Sequence, residues 1–215
     1  MAAHLTASEL AKRKTILASI RLFSECGVDS VSLRMINRKA GHKNNSALHY
    51  HFGSKLGLIG AVDEFIQQHF GEVRQPALEA LENRAAEGDI TVRDVIDVFV
   101  QAYVDIIEHH DWGYDAVRTI ARMEFDNNTQ VHDLLSQSAG LTVQRFARLT
   151  RPLLTDLKPK EYKRRFNFVV NSTIHAFADY QNLNKSYLGD LSVRSLKDLA
   201  RFQVDMAVAV LCHDI

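Results

Sequence analysis

Apolar residues recur along this chain at spacings of three and four rather than two, the period of helices that bury one face. The first such stretch opens with the capping-box pair Thr6 and Glu9, places Ile16, Leu17, Ile20 and Phe23 along one side, and stops at Gly27. Ser32 caps a second helix of barely two turns, with Leu33, Ile36 and Ala40 on its stripe and Gly41 as a left-handed stop. A third is expected after Asn44, Asn45 and Ser46, each a possible cap, with Leu48 and Phe52 on one face and Ala47 permitting close approach to a neighbour. Gly53 ends it and Ser54 caps a fourth, which the pattern carries from Lys55 towards Val73, with Pro76 as a kink or restart before Leu78 and Leu81.

The same period continues to the C-terminus. Thr91 caps the series Val92, Ile96, Phe99, Tyr103 and Ile106, and helices follow over 112–124 and from Thr129 to about Leu154, with Gly140 as a weak point. Pro159 suits the start of a helix striped by Tyr162, Phe166, Val169, Val170, Thr173, Phe177 and Tyr180. The last helix is expected from a Ser192 cap, with Leu199, Phe202, Met206 and Val210 on one side. Its closing run MAVAVLC is apolar nearly all round, so it needs cover on more than one side, from a partner subunit or from burial within one chain.

Composition agrees with an all-α chain: 215 residues, 46% apolar and 24% charged, with only three prolines and ten glycines. The N-terminal segment has no apolar stretch after its charges and no window approaches a membrane span, so a cytoplasmic protein with no membrane partner is expected. Cys26 and Cys212 are too few and too far apart for a disulfide framework or a cysteine zinc site, and are read as reduced, buried small residues. Net charge is zero but unevenly distributed. Residues 1–55 hold nine Lys and Arg against three acids, a net of +6, which leaves −6 on the remainder. A basic quarter on an acidic body is the footprint of a small domain that meets phosphate.

The run SLRMINRKAGHKNNSALHYHFGSK, residues 32–55, has two short helices across a glycine turn, followed directly by a third helix start, the layout of a helix-turn-helix. Its exposed side carries Lys43, Asn45, Ser46, His49 and Tyr50. Asn and Ser can donate and accept at base edges, while Lys, His and the tyrosine hydroxyl can bind phosphate oxygens. Lys55, in the first turn of its helix, conflicts with the helix dipole unless an anion is near.

The stretch ILASIRLFSECGVDSVSLRMINRKAG followed by SALHYHFGSK resembles the N-terminal domain of TetR-family transcriptional regulators over about residues 10–60. The resemblance implies a homodimer with a three-helix DNA-binding head, assigned to residues 1–55 with the helix-turn-helix at about 32–51, and a helical effector-binding and dimerisation body, 56–215. It places Ser32 and Arg34 beside the DNA backbone, Asn45, Ser46, His49 and Tyr50 in or beside the major groove, and Lys55 on a phosphate; Lys43 and Asn44 complete the expected DNA-binding set. The turn is one residue longer than the usual pattern, and His49 stands where the family most often has a tyrosine, whose duty Tyr50 shares. The expected partners are a double-stranded, roughly palindromic DNA operator, a second copy of the chain and a small hydrophobic effector. The expected function is that of a repressor released by that effector, with an adaptor acting through protein contacts as the alternative.

Candidate effector-pocket residues are Phe99, Tyr103, Trp112, Met123, Phe125 and Phe146, with Tyr114 among the same central helices. The polar stripe Asn167, Asn171, His175 and Asp179 could anchor a ligand head group, bond across a dimer, or face solvent. The resemblance favours a two-fold interface of the last two helices, with Phe166, Val170, Phe177, Leu199, Phe202, Met206 and Val210 as candidates. No metal or cofactor is expected: His49 and His51 lie about 200° apart on a helix, and His109, His110 and Asp111 stand near a helix end, where histidine suits the dipole. Phosphate-binding glycine loops, G-x-S-x-G and H-E-x-x-H are missing, so no enzyme is expected.

Overall fold

The structure, a computed structural model, describes residues 6–42 and 46–213, without the side chains of Ser46 and Ala47. In chain order its α-helices are α1 (Ala7–Cys26), α2 (Leu33–Ala40), α3 (Ser46–Phe52), α4 (Lys55–Ala86), α5 (Val92–His109), α6 (Gly113–Glu124), α7 (Thr129–Thr150), α8 (Pro159–Ala178) and α9 (Leu196–Cys212). No strand occurs among the described residues, where the one β-bridge joins Ser186 and Gly189.

Capping chemistry sets most of the boundaries. The Glu9 amide donates to the Thr6 hydroxyl at 3.2 Å while the Thr6 amide donates to the Glu9 carboxylate at 2.7 Å, closing the box at α1. Ser32 accepts from the Met35 amide and Ser54 from the Gly57 amide. Gly41, at φ 74° and ψ 21°, makes the left-handed end of α2 that a Cβ would disfavour.

Three expected boundaries are corrected. Helix α4 runs unbroken for 32 residues through Pro76, which neither ends nor restarts it. Proline removes one helical hydrogen bond, and the apolar positions on both sides, Phe70, Leu78 and Leu81, are buried in the core and hold the helix together across the gap. The cap of α9 is Ser195, which accepts from the Asp198 amide at 3.1 Å. Ser192 stands in a turn at φ 56°, its amide donated to Asp190. Helix α7 stops at Thr150 and gives way to a 3-10 turn over Arg151–Leu153 that contains Pro152. Both cysteines are exposed rather than buried.

One hydrophobic core runs through the chain. It takes in Ile20, Phe23, Ile36 and Phe52 at one end, Ile66 and Phe70 along α4, and Phe146, Phe177 and Leu199 at the other. Helix α4 packs on α1, α3, α5 and α7, and α6 lies between α1 and α8. The approach of α6 to α5 depends on Gly113, because a Cβ there would fall 1.9 Å from the Ile106 carbonyl oxygen. Between α1 and α6 the contact is polar as well as apolar. Asp115 accepts from Arg21 and from Ser24, each at 2.8 Å, and the Thr119 hydroxyl donates to the Ile20 carbonyl at 3.0 Å.

Candidate functional site

The first three helices present a basic, unpaired surface. Arg34, Arg38 and Lys39 on α2 and Lys12, Arg13 and Lys14 on α1 are exposed, and among the described residues none of them forms an ion pair. On α3, Leu48 and Phe52 point into the core, which turns His49 and Tyr50 outward; Tyr50 is 85% exposed. The His49 ring nitrogen Nδ1 lies 3.2 Å from the Gly53 carbonyl, tying that ring to the end of its own helix. Lys55 donates to the Asp29 carbonyl at 3.1 Å, which binds the start of α4 to the loop between α1 and α2 and leaves two ammonium protons for another acceptor. Ser32 is exposed, with its hydroxyl engaged as a helix cap. The Thr15 hydroxyl and the His42 ring meet at 2.9 Å, fixing the turn after α2 onto α1. Lys43, Asn44 and Asn45 and the side chain of Ser46 lie outside the described residues.

A second site lies within the remaining helices, where α4, α5, α6, α7 and α8 surround a cavity of about 510 Å³. The structure brings Phe99, Tyr103, Phe125, Asn171 and His175 to its wall, with Asn167 beside them. It does not bring Trp112, Met123 or Phe146 there. Trp112 packs among Phe65, His69 and His110, Met123 is wholly buried, and Phe146 stands behind Phe99 with ring centroids 5.2 Å apart. Tyr114 donates to the Ala178 carbonyl and joins α6 to α8, and Asp179 accepts from Asn182 just beyond that helix.

The wall also holds polar groups that the sequence reading passed over, namely Gln67, Arg74, Glu124 and His132. Arg74 could have been found: it falls four residues after Phe70 and four before Leu78, a charge set in the middle of an apolar stripe. Glu124 ends α6 with a carboxylate oxygen 3.3 Å from His175 Nε2. Burial pushes the Glu124 carboxyl up to about 7 and draws His175 below its ordinary value, so each is biased towards its uncharged form. Burial likewise raises the Tyr103 hydroxyl to about 12.

The expected dimer residues divide three ways. Phe166, Phe177 and Leu199 are buried within the protomer and Val170 lines the cavity, so these four are corrected: the apolar stripe of α8 faces inward. Met206 and Val210 are half-buried, and Phe202 is 65% exposed. Phe168 on α8, which was not anticipated, is 57% exposed. Arg165 donates to the carbonyls of Val210 and His213, and Gln203 to the hydroxyls of Ser172 and Thr173, an order of contacts that makes α8 and α9 antiparallel. Among the described residues no group of His, Cys, Asp and Glu could hold a metal ion, and no helix is long and apolar enough to cross a membrane.

Two family models match the chain: bacterial regulatory proteins of the tetR family over residues 16–62, and the tetracyclin repressor-like C-terminal domain over residues 97–209. No curated protein matches it. Solved structures share the fold. A TetR-like transcriptional regulator from Rhodococcus sp. RHA1 is 14% identical, with 98% of this chain and 100% of that one covered and a TM-score of 0.67. NalD, the secondary repressor of the MexAB-OprM multidrug efflux pump in Pseudomonas aeruginosa, is 18% identical, with 97% and 100% covered and a TM-score of 0.62. SmeT, the repressor of the Stenotrophomonas maltophilia multidrug efflux pump SmeDEF, is 19% identical in its triclosan complex, with 95% and 92% covered and a TM-score of 0.56.

Proposed function

The chain belongs to the TetR family of bacterial transcriptional regulators, and on that premise we propose that it is a homodimeric repressor that leaves its operator when a small apolar molecule enters the cavity. The observation that carries this reading is the placement of α6. Its first half is held to α1 through Asp115 and Thr119, while Ile120 and Glu124 in its second half form part of the cavity wall. A ligand that favours one position of Glu124 therefore acts on the same rigid rod that holds the head, and a difference in ligand affinity between two positions of that rod is a difference in operator affinity.

In this reading residues 1–55 are the head and 56–215 the body. Ser32, Arg34, His49, Tyr50 and Lys55 meet the DNA backbone and the edge of the major groove, and Lys43, Asn44, Asn45 and Ser46 belong to the same face. The exposed Phe168 and Phe202 support a dimer across α8 and α9, since two large apolar side chains on neighbouring helices are most cheaply covered by their own symmetry copies. The fold shared with NalD and SmeT, both repressors of multidrug efflux pumps, supports a repressor, and the triclosan complex of SmeT supports a small apolar ligand. A protein with these parts works in the cytoplasm.

The test is footprinting of the purified protein on the DNA flanking its own gene, against random competitor at near-physiological salt. A protected, near-palindromic site is expected. Diffuse coating that vanishes with salt would mean nonspecific phosphate binding and would return weight to a protein-contact adaptor.

A further inference from the structure

Two arginines of this protein are each 8% exposed, and they differ in what meets them. Arg165 donates to the Glu161 carboxylate and to the Val210 and His213 carbonyls. Arg74, on the cavity wall, has no ion pair among the described residues, and its Nε is buried without a hydrogen-bond acceptor. Its position is fixed nonetheless, because the α4 stripe turns it inward and the guanidinium carbon sits 4.9 Å from the centre of the Phe70 ring. Opposite it, the Tyr103 hydroxyl also has no hydrogen-bond partner among the described residues, although its ring is held between Phe70, Phe99 and Phe177.

A desolvated cation without a counter-ion costs several kcal/mol, so a partner is expected for it. None is supplied among the described residues. A smaller cavity that Arg74 also lines holds Asp97 and Asp105, but neither lies within 4.0 Å of it. In the main cavity Glu124 stands 3.3 Å from His175 and is not within 4.0 Å of Arg74. What is left is the positive charge of Arg74 on the same wall as the Tyr103 hydroxyl, in a space whose apolar lining includes Phe99, Ile120, Leu135, Val143 and Ile174.

We propose that the ligand of this cavity is a small amphiphilic organic acid, a monocarboxylate on an apolar body, whose carboxylate pairs with the Arg74 guanidinium and accepts a hydrogen bond from Tyr103. One carboxylate matches this anchor in charge and in oxygens, whereas a phosphate monoester would bring a second charge that nothing here neutralises. The assignment rests on the reading of the cavity as the effector site.

The test is isothermal titration of the full chain with sodium decanoate and with 1-decanol, both below their aggregation limits. Decanoate should bind about tenfold or more tightly than the alcohol, as expected for a charge-assisted contact. Arg74→Met should remove that preference, so that the two compounds bind within about twofold of each other. Tyr103→Phe, which keeps the packed ring, should weaken decanoate several-fold and by more than decanol, and it stands as the second probe if the first variant does not fold. A preference for decanoate that survives both substitutions, or equal binding of the two compounds to the native chain, overturns the anion anchor while leaving the cavity a ligand site. Binding of neither compound removes the effector-site reading together with the anchor.

Discussion

The helix-turn-helix end of the molecule and the cavity end treat their polar groups in opposite ways. Helices α1 and α2 use hydroxyls as caps, close the turn with the Thr15–His42 contact, and leave a set of exposed cations facing out. Their interior is built on Ile20, Phe23 and Ile36, and the hydroxyls buried with them are met within the fold, Ser19 by the Thr15 carbonyl and Ser24 by Asp115. The body instead turns Arg74, Glu124, Tyr103 and His175 towards a cavity, and among the described residues the first has no counter-ion. The difference teaches where each region keeps its polar chemistry: the one completes its own fold and offers its charges outside, while the other holds an unmet cation inside, which under the proposed function only something small would reach.

The largest effect that can sharpen this contrast is expected at Phe23, which is wholly buried in the core between the first helices. Phe23→Ala should cost about 3–5 kcal/mol in denaturant unfolding. A loss below about 1 kcal/mol would mean that the apolar interior assigned to the head is not tightly packed. Next in size is the joint between the two regions. Asp115→Ala removes the carboxylate shared by Ser24 and Arg21, leaving the first only the Arg21 carbonyl and the second only Glu25, and should cost about 1–3 kcal/mol. It should also make operator binding less responsive to ligand, so unchanged responsiveness would break the proposed route through α6.

A smaller effect with a definite pH signature is expected at Glu124. Its carboxyl titrates near 7 in the folded protein against an ordinary value of 4.5, so the native state keeps its proton longer than the unfolded chain does. That contribution is whole below 4.5 and is lost as pH rises through about 7. The melting temperature of Glu124→Gln should therefore match the parent at pH 4.5 and exceed it at pH 8. A constant difference across that range would show the carboxyl to be as well solvated as any on the surface. The smallest effect on the fold belongs to Tyr50: Tyr50→Ala should stay within about 0.5 kcal/mol of the parent in stability while weakening DNA binding. Intact DNA binding would take Tyr50 out of the interface.

The head was legible in the sequence because its determinants are local. A capping serine, a left-handed glycine and an apolar pair four residues apart are read within one or two turns, and they placed α1 and α2 closely. Pro76 misled for the same reason: local chemistry disfavours a helix there, and burial of Phe70, Leu78 and Leu81 overrides it. The cavity was half legible. Aromatic residues point inward wherever a core exists, so their presence does not separate Phe99 on the wall from Phe146 behind it. The stripe Asn167, Asn171 and His175 stood out because polarity at helical spacing is rarer, and it does reach the cavity. Phe166, Phe177 and Leu199 were misassigned because an apolar stripe says that a face is covered, not by which molecule.

The length of α4 sets the mechanical scale of the protein. Nineteen residues separate Lys55 from Arg74, about 28 Å at helical rise. Over that arm a tilt of about 4° at the cavity would displace the helix start by roughly 2 Å, and two symmetry-related arms moving apart would open the heads by roughly 4 Å. One base-pair step along DNA is about 3.4 Å. A shift in side-chain packing too small to disturb the core would thus be enough to put two reading heads out of phase with their half-sites by one base pair.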